Sequence, residues 1–185
     1  MDNGASSYRR FLEGDEEGFV QIVKEYKDGL MLYLNGFVQN IHIAEDLTED
    51  TFVKLIANRP RFSGKSTFKT WLYAIGRNVA MDHGRKNSKL PTLSTEEEAL
   101  ILRDEADVER NYLHTERNIQ VHQALKGLKC EYRVVLHLIY FEDFRNEQVA
   151  AVMGKSKKQI ENLVFRAKQA LKAELEKEGF VYENL

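Results

Sequence analysis

Cysteine and proline are scarce in this sequence of 185 residues, which contains one cysteine, Cys130, and two prolines. A single thiol excludes an internal disulfide framework and a zinc site made of four cysteines, and it fits a reducing compartment. No apolar run approaches the roughly 18 residues that a membrane-spanning helix needs, and the first residues lack the basic-then-apolar order of a signal peptide. We therefore expect a cytoplasmic protein.

Residues that could carry out chemistry are also few and scattered. The five histidines show no metal-ligand spacing, and none has a partnered nucleophile. The sequence therefore predicts no catalytic residue, no metal, no cofactor and no small-molecule substrate. We expect a binding protein rather than an enzyme.

Amphipathic helical sequence, by contrast, is abundant. Charged residues make up 30% of the chain and hydrophobic residues 43%, which is typical of a folded protein rather than a disordered one. Apolar residues recur at steps of three and four, and no stretch shows convincing two-residue alternation. The expected fold class is all-α.

The charge is divided unevenly along the chain. Residues 1–53 carry a net charge of −7, residues 54–92 carry +8, residues 93–110 carry −5 and residues 111–185 carry +2. A polar stretch that contains Pro91 and runs into three glutamates interrupts the helical pattern. We therefore predict two small helical domains, residues 1–90 and 108–185, joined by a flexible acidic linker at 91–107.

The second domain contains a helix-turn-helix pattern. A short helix over Asn146–Met153 is followed by Gly154, which can adopt the left-handed conformation that ends a helix. Ser156 and Gln159 then form a capping box for the next helix. Two helices joined by a short glycine-containing turn are typical of DNA-binding domains.

The last predicted helix has a polar face that includes one large aromatic residue, Phe165. Either another helix covers this ring, or the face enters a DNA major groove. In the second case Arg166 would donate to guanine, Asn162 would contact adenine and Phe165 would touch a thymine methyl group. Nearby lysines would contact phosphates, namely Lys155, Lys157, Lys158 and Lys168.

The first domain has two further candidate surfaces. In the basic segment at 54–92, Trp71 could stack on an unpaired base, and its ring would fit equally well in a helical core. In the acidic segment at 1–53, a helix is predicted to begin at Ile43 and to continue to Asn58, with Ile56 on its inner face. Asp46, Glu49 and Asp50 share one face of this helix beside an outward Val53. This face could dock a basic protein partner or could simply be solvated.

These segments together resemble a known family. The segments AEDLTEDTF at 44–52, RF at 61–62 and FKTWLYAIGRN at 68–78, with Asp82, resemble the promoter-melting domain of the extracytoplasmic-function group of bacterial sigma factors. The segment NEQVAAVMGKS at 146–156, continued by RAK at 166–168, is similar to that group's second domain, which reads the upstream promoter element. The resemblance covers nearly the whole chain, including the domain order and the linker length.

The resemblance implies a sigma factor that binds core RNA polymerase, directs it to specific promoters and assists DNA opening. The implied partners are the clamp helices and flap of the polymerase, promoter DNA and an anti-sigma factor, and the chain would be a monomer when unbound. The segment that grips the clamp helices would include Asp46, Leu47, Glu49, Asp50 and Phe52.

The family likeness also implies the DNA-binding residues. The minus-ten element, whose non-template strand is unpaired, would be held by Ser63, Gly64, Lys65, Ser66, Thr67, Phe68, Lys69, Trp71, Arg77, Asn78, Arg85 and Lys86. The upstream, minus-thirty-five element would be read by Ser156, Lys157, Lys158, Gln159, Glu161, Asn162, Phe165, Arg166 and Lys168.

The recognition helix departs from the family pattern, which usually has TVKSR where this chain has QIENL at 159–163. Glu161 stands where the family usually has a cation, so this helix either reads an unusual upstream element or binds DNA weakly. The alternative function is a stand-alone helix-turn-helix repressor or activator, and an unknown small enzyme is a remote third. A repressor usually needs two-fold symmetry to span two half-sites, and the sequence lacks a strong dimerisation heptad.

Overall fold

The computed structural model of the chain describes residues 2–87, 121 and 123–177. Seven helices are bounded within these residues: α1 (Asn3–Leu12), α2 (Glu16–Val38), α3 (Ile41–Asn58), α4 (Phe68–Asn87), α5 (Cys130–Tyr140), α6 (Asn146–Met153) and α7 (Lys157–Lys177). No strand occurs in this described part, so the all-α prediction is confirmed. The predicted linker at 91–107 and the start of the second domain at 108 lie outside the described residues.

Side-chain caps start the first three helices. The carboxylates of Asp2 and Asp15 accept hydrogen bonds from backbone N–H groups in the first turns of α1 and α2, and the amide oxygen of Asn40 does the same for α3. Such caps satisfy N–H groups that have no partner inside the helix. Each of the three helices therefore has a capping side chain at its own N-terminus.

Helix α2 is the centre of the first helical unit and packs against α1, α3 and α4. Its fully buried side chains include Ile22, Leu30 and Leu34. Helix α4 passes closest at Gly76, where a Cβ atom would lie 2.9 Å from Leu30 Cδ1. This close approach accounts for a glycine in mid-helix, which otherwise costs about 1 kcal/mol relative to alanine.

The second unit contains the predicted helix-turn-helix, formed by α6 and α7. Gly154 ends α6 with a φ of 63°, in the left-handed region. The Gln159 backbone N–H donates to Ser156 Oγ at 3.2 Å, and the Ser156 N–H donates to Gln159 Oε1 at 2.8 Å. The predicted capping box and glycine turn are thus confirmed.

The two units pack directly against each other. Helix α4 lies against α6, and α2 lies against α5. Arg133 Nε on α5 donates to the Gly36 carbonyl oxygen at 2.7 Å, and Gln148 Nε2 on α6 donates to Thr70 Oγ1 at 3.4 Å. The helix that carries the predicted minus-ten residues is therefore in contact with the helix-turn-helix.

Candidate nucleic-acid and protein interfaces

The acidic face of α3 is exposed. Asp46, Glu49 and Asp50 lie on the surface beside Val53, whose side chain is 57% exposed. Leu47 and Phe52, which the family likeness places in the same contact, lie in the core instead. These two side chains therefore pack α3 into the core, while the carboxylates form the surface.

The sequence pattern misplaced one member of this surface. Ile56 was expected on the inner face of α3, but its side chain is 43% exposed. The helical period could have shown this, because Ile56 lies three residues after the outward Val53 and shares its face. The surface of α3 therefore combines two exposed apolar residues with three carboxylates.

The loop before α4 is largely exposed. Ser63, Gly64, Lys65 and Thr67 lie on the surface, and Ser66 is half-buried. Gly64 has a φ of 70°, which favours glycine at this turn. Thr67 Oγ1 accepts a hydrogen bond from the Thr70 N–H at 3.2 Å and so caps α4. The predicted minus-ten loop is thus accessible and ends at an ordered helix start.

An aromatic cluster packs next to this loop, around the start of α4. The Trp71 ring lies 5.3 Å from the ring of Tyr8, 5.2 Å from Phe62 and 5.5 Å from Phe68, measured between ring centroids. Phe68 is fully buried, so it cannot stack on a base in this arrangement, contrary to what the family likeness implies. Trp71 is half-buried, so its ring packs against the core while part of it remains accessible.

The remaining predicted residues of α4 follow its length. Asn78, Arg85 and Lys86 are exposed, Arg77 is half-buried, and Arg85 forms an ion pair with Asp82. Hydrogen bonding and the nearby positive charges hold the pKa of Asp82 below its usual value. The C-terminal part of α4 therefore presents mainly basic side chains.

Lys69 differs from these residues because a carboxylate of the second unit holds it. Glu142, in the turn after α5, accepts from Lys69 Nζ at 2.8 Å and from the Tyr73 hydroxyl at 2.6 Å. Lys69 Nζ also donates to the Glu142 carbonyl oxygen at 3.0 Å. His137 Nε2 lies 3.5 Å from the other carboxylate oxygen. One carboxylate thus joins α4 to the start of the helix-turn-helix.

The surroundings of Glu142 keep it ionised. Burial alone would raise the pKa of this carboxyl, but its neighbours His137, Lys69 and Tyr73 outweigh burial and lower the pKa to about 2. Burial and the adjacent carboxylate raise the pKa of Tyr73, so its hydroxyl remains a donor. The sequence does not predict this cluster, because nothing local marks Glu142 as a partner of residues about 70 positions earlier.

The predicted DNA-reading face of α7 points to solvent. Phe165 is 65% exposed, and no helix among the described residues covers it. All the predicted upstream-element residues are exposed, namely Ser156, Lys157, Lys158, Gln159, Glu161, Asn162, Phe165, Arg166 and Lys168. The inward stripe, with Ile160 and Ala167 fully buried, sets this phase.

Several of these side chains already have partners within the second unit. Lys157 Nζ pairs with Glu147 at 2.6 Å, Lys155 Nζ pairs with Glu131 at 3.1 Å, and Lys168 Nζ lies 5.4 Å from the centre of the Tyr140 ring. Gln159 is engaged in the capping box. Exposed ion pairs contribute little stability, so the lysines can exchange these partners for phosphates at small cost.

Metal-ligand clusters and membrane-spanning helices are absent from the part of the chain that the structure describes. Within residues 2–87, 121 and 123–177, no three His, Cys, Asp or Glu side chains converge as metal ligands would. None of the helices in these ranges is long and apolar enough to span a membrane.

Both units match known protein families. Residues 22–90 match Sigma-70 region 2, and residues 118–171 match Sigma-70, region 4. The chain is 31% identical over 170 residues to the RNA polymerase sigma-H factor of Pseudomonas aeruginosa, covering 88% of each chain. It is 33% identical over 143 residues to the ECF RNA polymerase sigma factor SigC of Mycobacterium tuberculosis, covering 76% of this chain and 75% of that one.

Among the solved structures that share the fold are two protein complexes. The first is the sigma factor RpoE in complex with the anti-sigma factor NepR from Bartonella quintana, with a TM-score of 0.65, 23% identity, and coverage of 85% of this chain and 96% of that chain. The second is CnrH in complex with the cytosolic domain of CnrY, with a TM-score of 0.64, 23% identity, and coverage of 94% and 95%.

Proposed function

The chain belongs to the extracytoplasmic-function group of RNA polymerase sigma factors, and from that premise we propose which of its surfaces bind polymerase and which bind the promoter. As a sigma factor it directs RNA polymerase to specific promoters at initiation. Sigma factors are not catalysts, and we propose that this chain likewise performs no bond chemistry. We also propose that it acts in the cytoplasm, without a metal or cofactor.

The acidic face of α3 is the proposed contact with the clamp helices of core polymerase. Asp46, Glu49 and Asp50 supply negative charge, and Val53 and Ile56 supply exposed apolar area next to it on the same helix. A protein interface commonly combines apolar area with charged side chains at its edge. Charge complementarity with a basic partner would mainly speed association and fix its orientation.

The loop at 63–67 and the exposed side of α4 are the proposed contact with the minus-ten element. Lys65, Asn78 and the accessible part of Trp71 can reach unpaired bases and their phosphates. Stacking of a base on an aromatic ring is worth about 1–3 kcal/mol. Arg85 and Lys86, at the basic end of α4, would lie near duplex phosphates.

The exposed face of α7 is the proposed contact with the minus-thirty-five element. Its exposure is the observation that carries the proposed function most directly. Phe165, Asn162 and Arg166 stand together on the outward face of the second helix of a helix-turn-helix. That helix is the one that enters the major groove in this motif. Glu161 lies on the same surface, where it can accept from a cytosine amine or repel a phosphate.

Binding of the minus-ten strand by Lys69 requires a change in the arrangement of the two units. In the structure Lys69 is held by Glu142, and Thr70 contacts Gln148 of α6. The side of α4 that carries Lys69 is therefore covered by the second unit. We propose that this contact opens when the chain binds polymerase and promoter, with the second unit moving towards the flap.

A protein inhibitor is a further proposed partner. The two solved structures described above are both complexes, one with the anti-sigma factor NepR and the other with the cytosolic domain of CnrY. We propose that an anti-sigma factor binds this chain too, and that the unbound chain is a monomer.

The alternative function, a stand-alone repressor or activator, gains no support, since the first unit matches a sigma domain rather than a sensor. A gel-shift experiment on a cognate promoter separates the two functions. We expect a specific shift only when core polymerase is present. A specific, tight complex of the chain alone with duplex DNA would favour the alternative.

A further inference from the structure

Helix α1 precedes the segment that matches Sigma-70 region 2, which begins at residue 22. Its capping residue, Asp2, bonds to two helices at once. Asp2 Oδ1 accepts from the Ala5 N–H at 3.2 Å, which caps α1, and Oδ2 accepts from the Phe68 N–H at 2.7 Å, at the first residue of α4. One half-buried carboxylate therefore satisfies N–H groups 63 residues apart in sequence.

The rest of α1 fixes the other end of the same loop. The Tyr8 side chain is 1% exposed, and its hydroxyl donates to the Pro60 carbonyl oxygen at 2.7 Å. Gly4 lets α1 approach closely, because a Cβ atom there would lie 2.5 Å from both Phe68 Cδ1 and the Tyr26 hydroxyl oxygen. Helix α1 thus holds Pro60 before the loop and Phe68 after it.

Apart from the Phe62 ring, which packs against Phe68 and Trp71, the loop itself has few other anchors. Between Pro60 and Phe68, the side-chain hydrogen bonds that the structure records are those of Ser66 and Thr67, and both stay within the loop or the first turn of α4. Ser63, Gly64 and Lys65 are exposed. The path of these residues is therefore set mainly by how the two ends are held.

We propose that Asp2 is a positioning residue for promoter opening: its carboxylate bridges α1 and α4 and so sets the loop that meets the unpaired minus-ten strand. This rests on the function proposed above for residues 63–67. Asp2 does not itself touch DNA in this proposal. It acts through the position of Phe68 and the loop before it.

The substitution Asp2→Asn tests the bridge between α1 and α4 directly. Asparagine is as good an N-cap as aspartate for one helix, but its side chain has only one oxygen to accept hydrogen bonds. Asp2→Asn can therefore keep one of the two bonds and must lose the other. Asp15→Asn is the matched control: Asp15 caps α2 through the Glu17 N–H at 3.1 Å, and its second oxygen accepts from Arg10 Nε of α1 at 2.8 Å rather than from any group of α4.

Trp71 reports on the same region without any added label. It is the single tryptophan of the chain, and its ring contacts those of Tyr8, Phe62 and Phe68. Loosening α1 from α4 should expose the indole, which acrylamide quenching of its fluorescence measures. This signal tests the positioning role separately from promoter activity.

The experiment compares full-length wild type, Asp2→Asn and Asp15→Asn in holoenzyme with core polymerase on a duplex promoter. We expect Asp2→Asn to slow open-complex formation about fivefold, the equivalent of one lost cap, and to raise acrylamide quenching of Trp71 in the unbound protein. Core binding should be unchanged, and Asp15→Asn should match wild type in both signals. Wild-type quenching and wild-type opening for Asp2→Asn would overturn the proposal.

A third variant separates this proposal from the function of the loop. Lys65→Ala changes an exposed loop side chain directly and leaves both caps in place. If Lys65→Ala slows opening while Asp2→Asn does not, the loop works as proposed and the positioning role of Asp2 is wrong. If neither variant slows opening, the function of the loop is wrong and the proposal for Asp2 falls with it.

Discussion

The carboxylate of Glu142 lies 2.8 Å from the ammonium group of Lys69 and ties the turn after α5 to the first turn of α4. The same carboxylate accepts the Tyr73 hydroxyl, so two side chains of α4 depend on one residue of the second unit. Lys69 is also a proposed contact of the minus-ten strand. Whether Lys69 is available for the minus-ten strand therefore depends on how the two units pack.

Replacing Glu142 should make this surface of α4 more accessible. In Glu142→Gln the carboxamide loses the charge that attracts Lys69, and hydrogen bonds to charged groups are worth about 1.5–3 kcal/mol. We expect the unbound variant to bind a fluorescent single strand carrying the minus-ten sequence several-fold more tightly than wild type. Glu131→Gln, which removes an exposed ion pair with Lys155, is the control and should bind like wild type. Equal affinity for all three proteins would show that the Glu142 contact does not limit strand binding.

The same pair should make the stability of the chain depend on pH. The pKa of Glu142 falls from an ordinary value of 4.5 to about 2 in the folded protein, so its stabilising contribution is complete above pH 4.5 and is lost as the pH falls towards 2. The difference in Tm between wild type and Glu142→Gln should therefore be largest near pH 6 and should shrink below pH 4.5. Thermal unfolding followed by circular dichroism measures it. A difference that stays constant from pH 6 to pH 3 would contradict the pKa.

The acidic face of α3 should be required for binding to core polymerase. Changing Asp46 and Asp50 together to lysine reverses the charge of an exposed surface and leaves the core residues Leu47 and Phe52 untouched. We expect co-purification with core to be lost while the helical circular-dichroism signal is kept. The same double reversal at exposed Glu13 and Glu176 is the control and should leave co-purification intact. Retained binding by the α3 variant would move the polymerase contact elsewhere.

Two exposed residues of α7 should have different effects on upstream-element binding. Arg166→Ala should cost about 1–3 kcal/mol and relax the preference at one base pair, because a guanidinium can bond to both acceptors of a guanine. Lys158→Ala should weaken binding to all sequences alike and lower the salt slope by about one unit. Holoenzyme binding to a set of single-base promoter variants at several salt concentrations measures both effects. Equal losses on every sequence for both variants would mean that Arg166 contacts only phosphates.

Much of the fold could be predicted because its determinants are local. Helical periodicity predicts the buried stripe and the outward face of α7, and Gly154, Ser156 and Gln159 each act within three residues of the turn they define. The exposure of Phe165 follows from the same period. The acidic face of α3 was predicted for this reason too, and Ile56 was missed only because its phase was not followed from Val53.

Contacts between distant segments could not be predicted in this way. The pairing of Glu142 with Lys69 depends on how α4 packs against elements far away in sequence, and so does the pair of hydrogen bonds that Asp2 accepts. Nor does sequence spacing reveal that Phe68 lies in the core, because an aromatic residue at a helix start fits either a core or a base-stacking surface. The packing of α1 and α2 against α4 decides between them.

Run-off transcription with purified core polymerase and duplex genomic fragments tests the central claim most directly. The chain should produce discrete transcripts from a small class of promoters, and only when core and chain are both present. Permanganate should then detect unpaired thymines in the minus-ten region of those promoters. Absence of any selective transcript, with a core preparation that is active with another sigma factor, would contradict the assignment of promoter recognition to this chain.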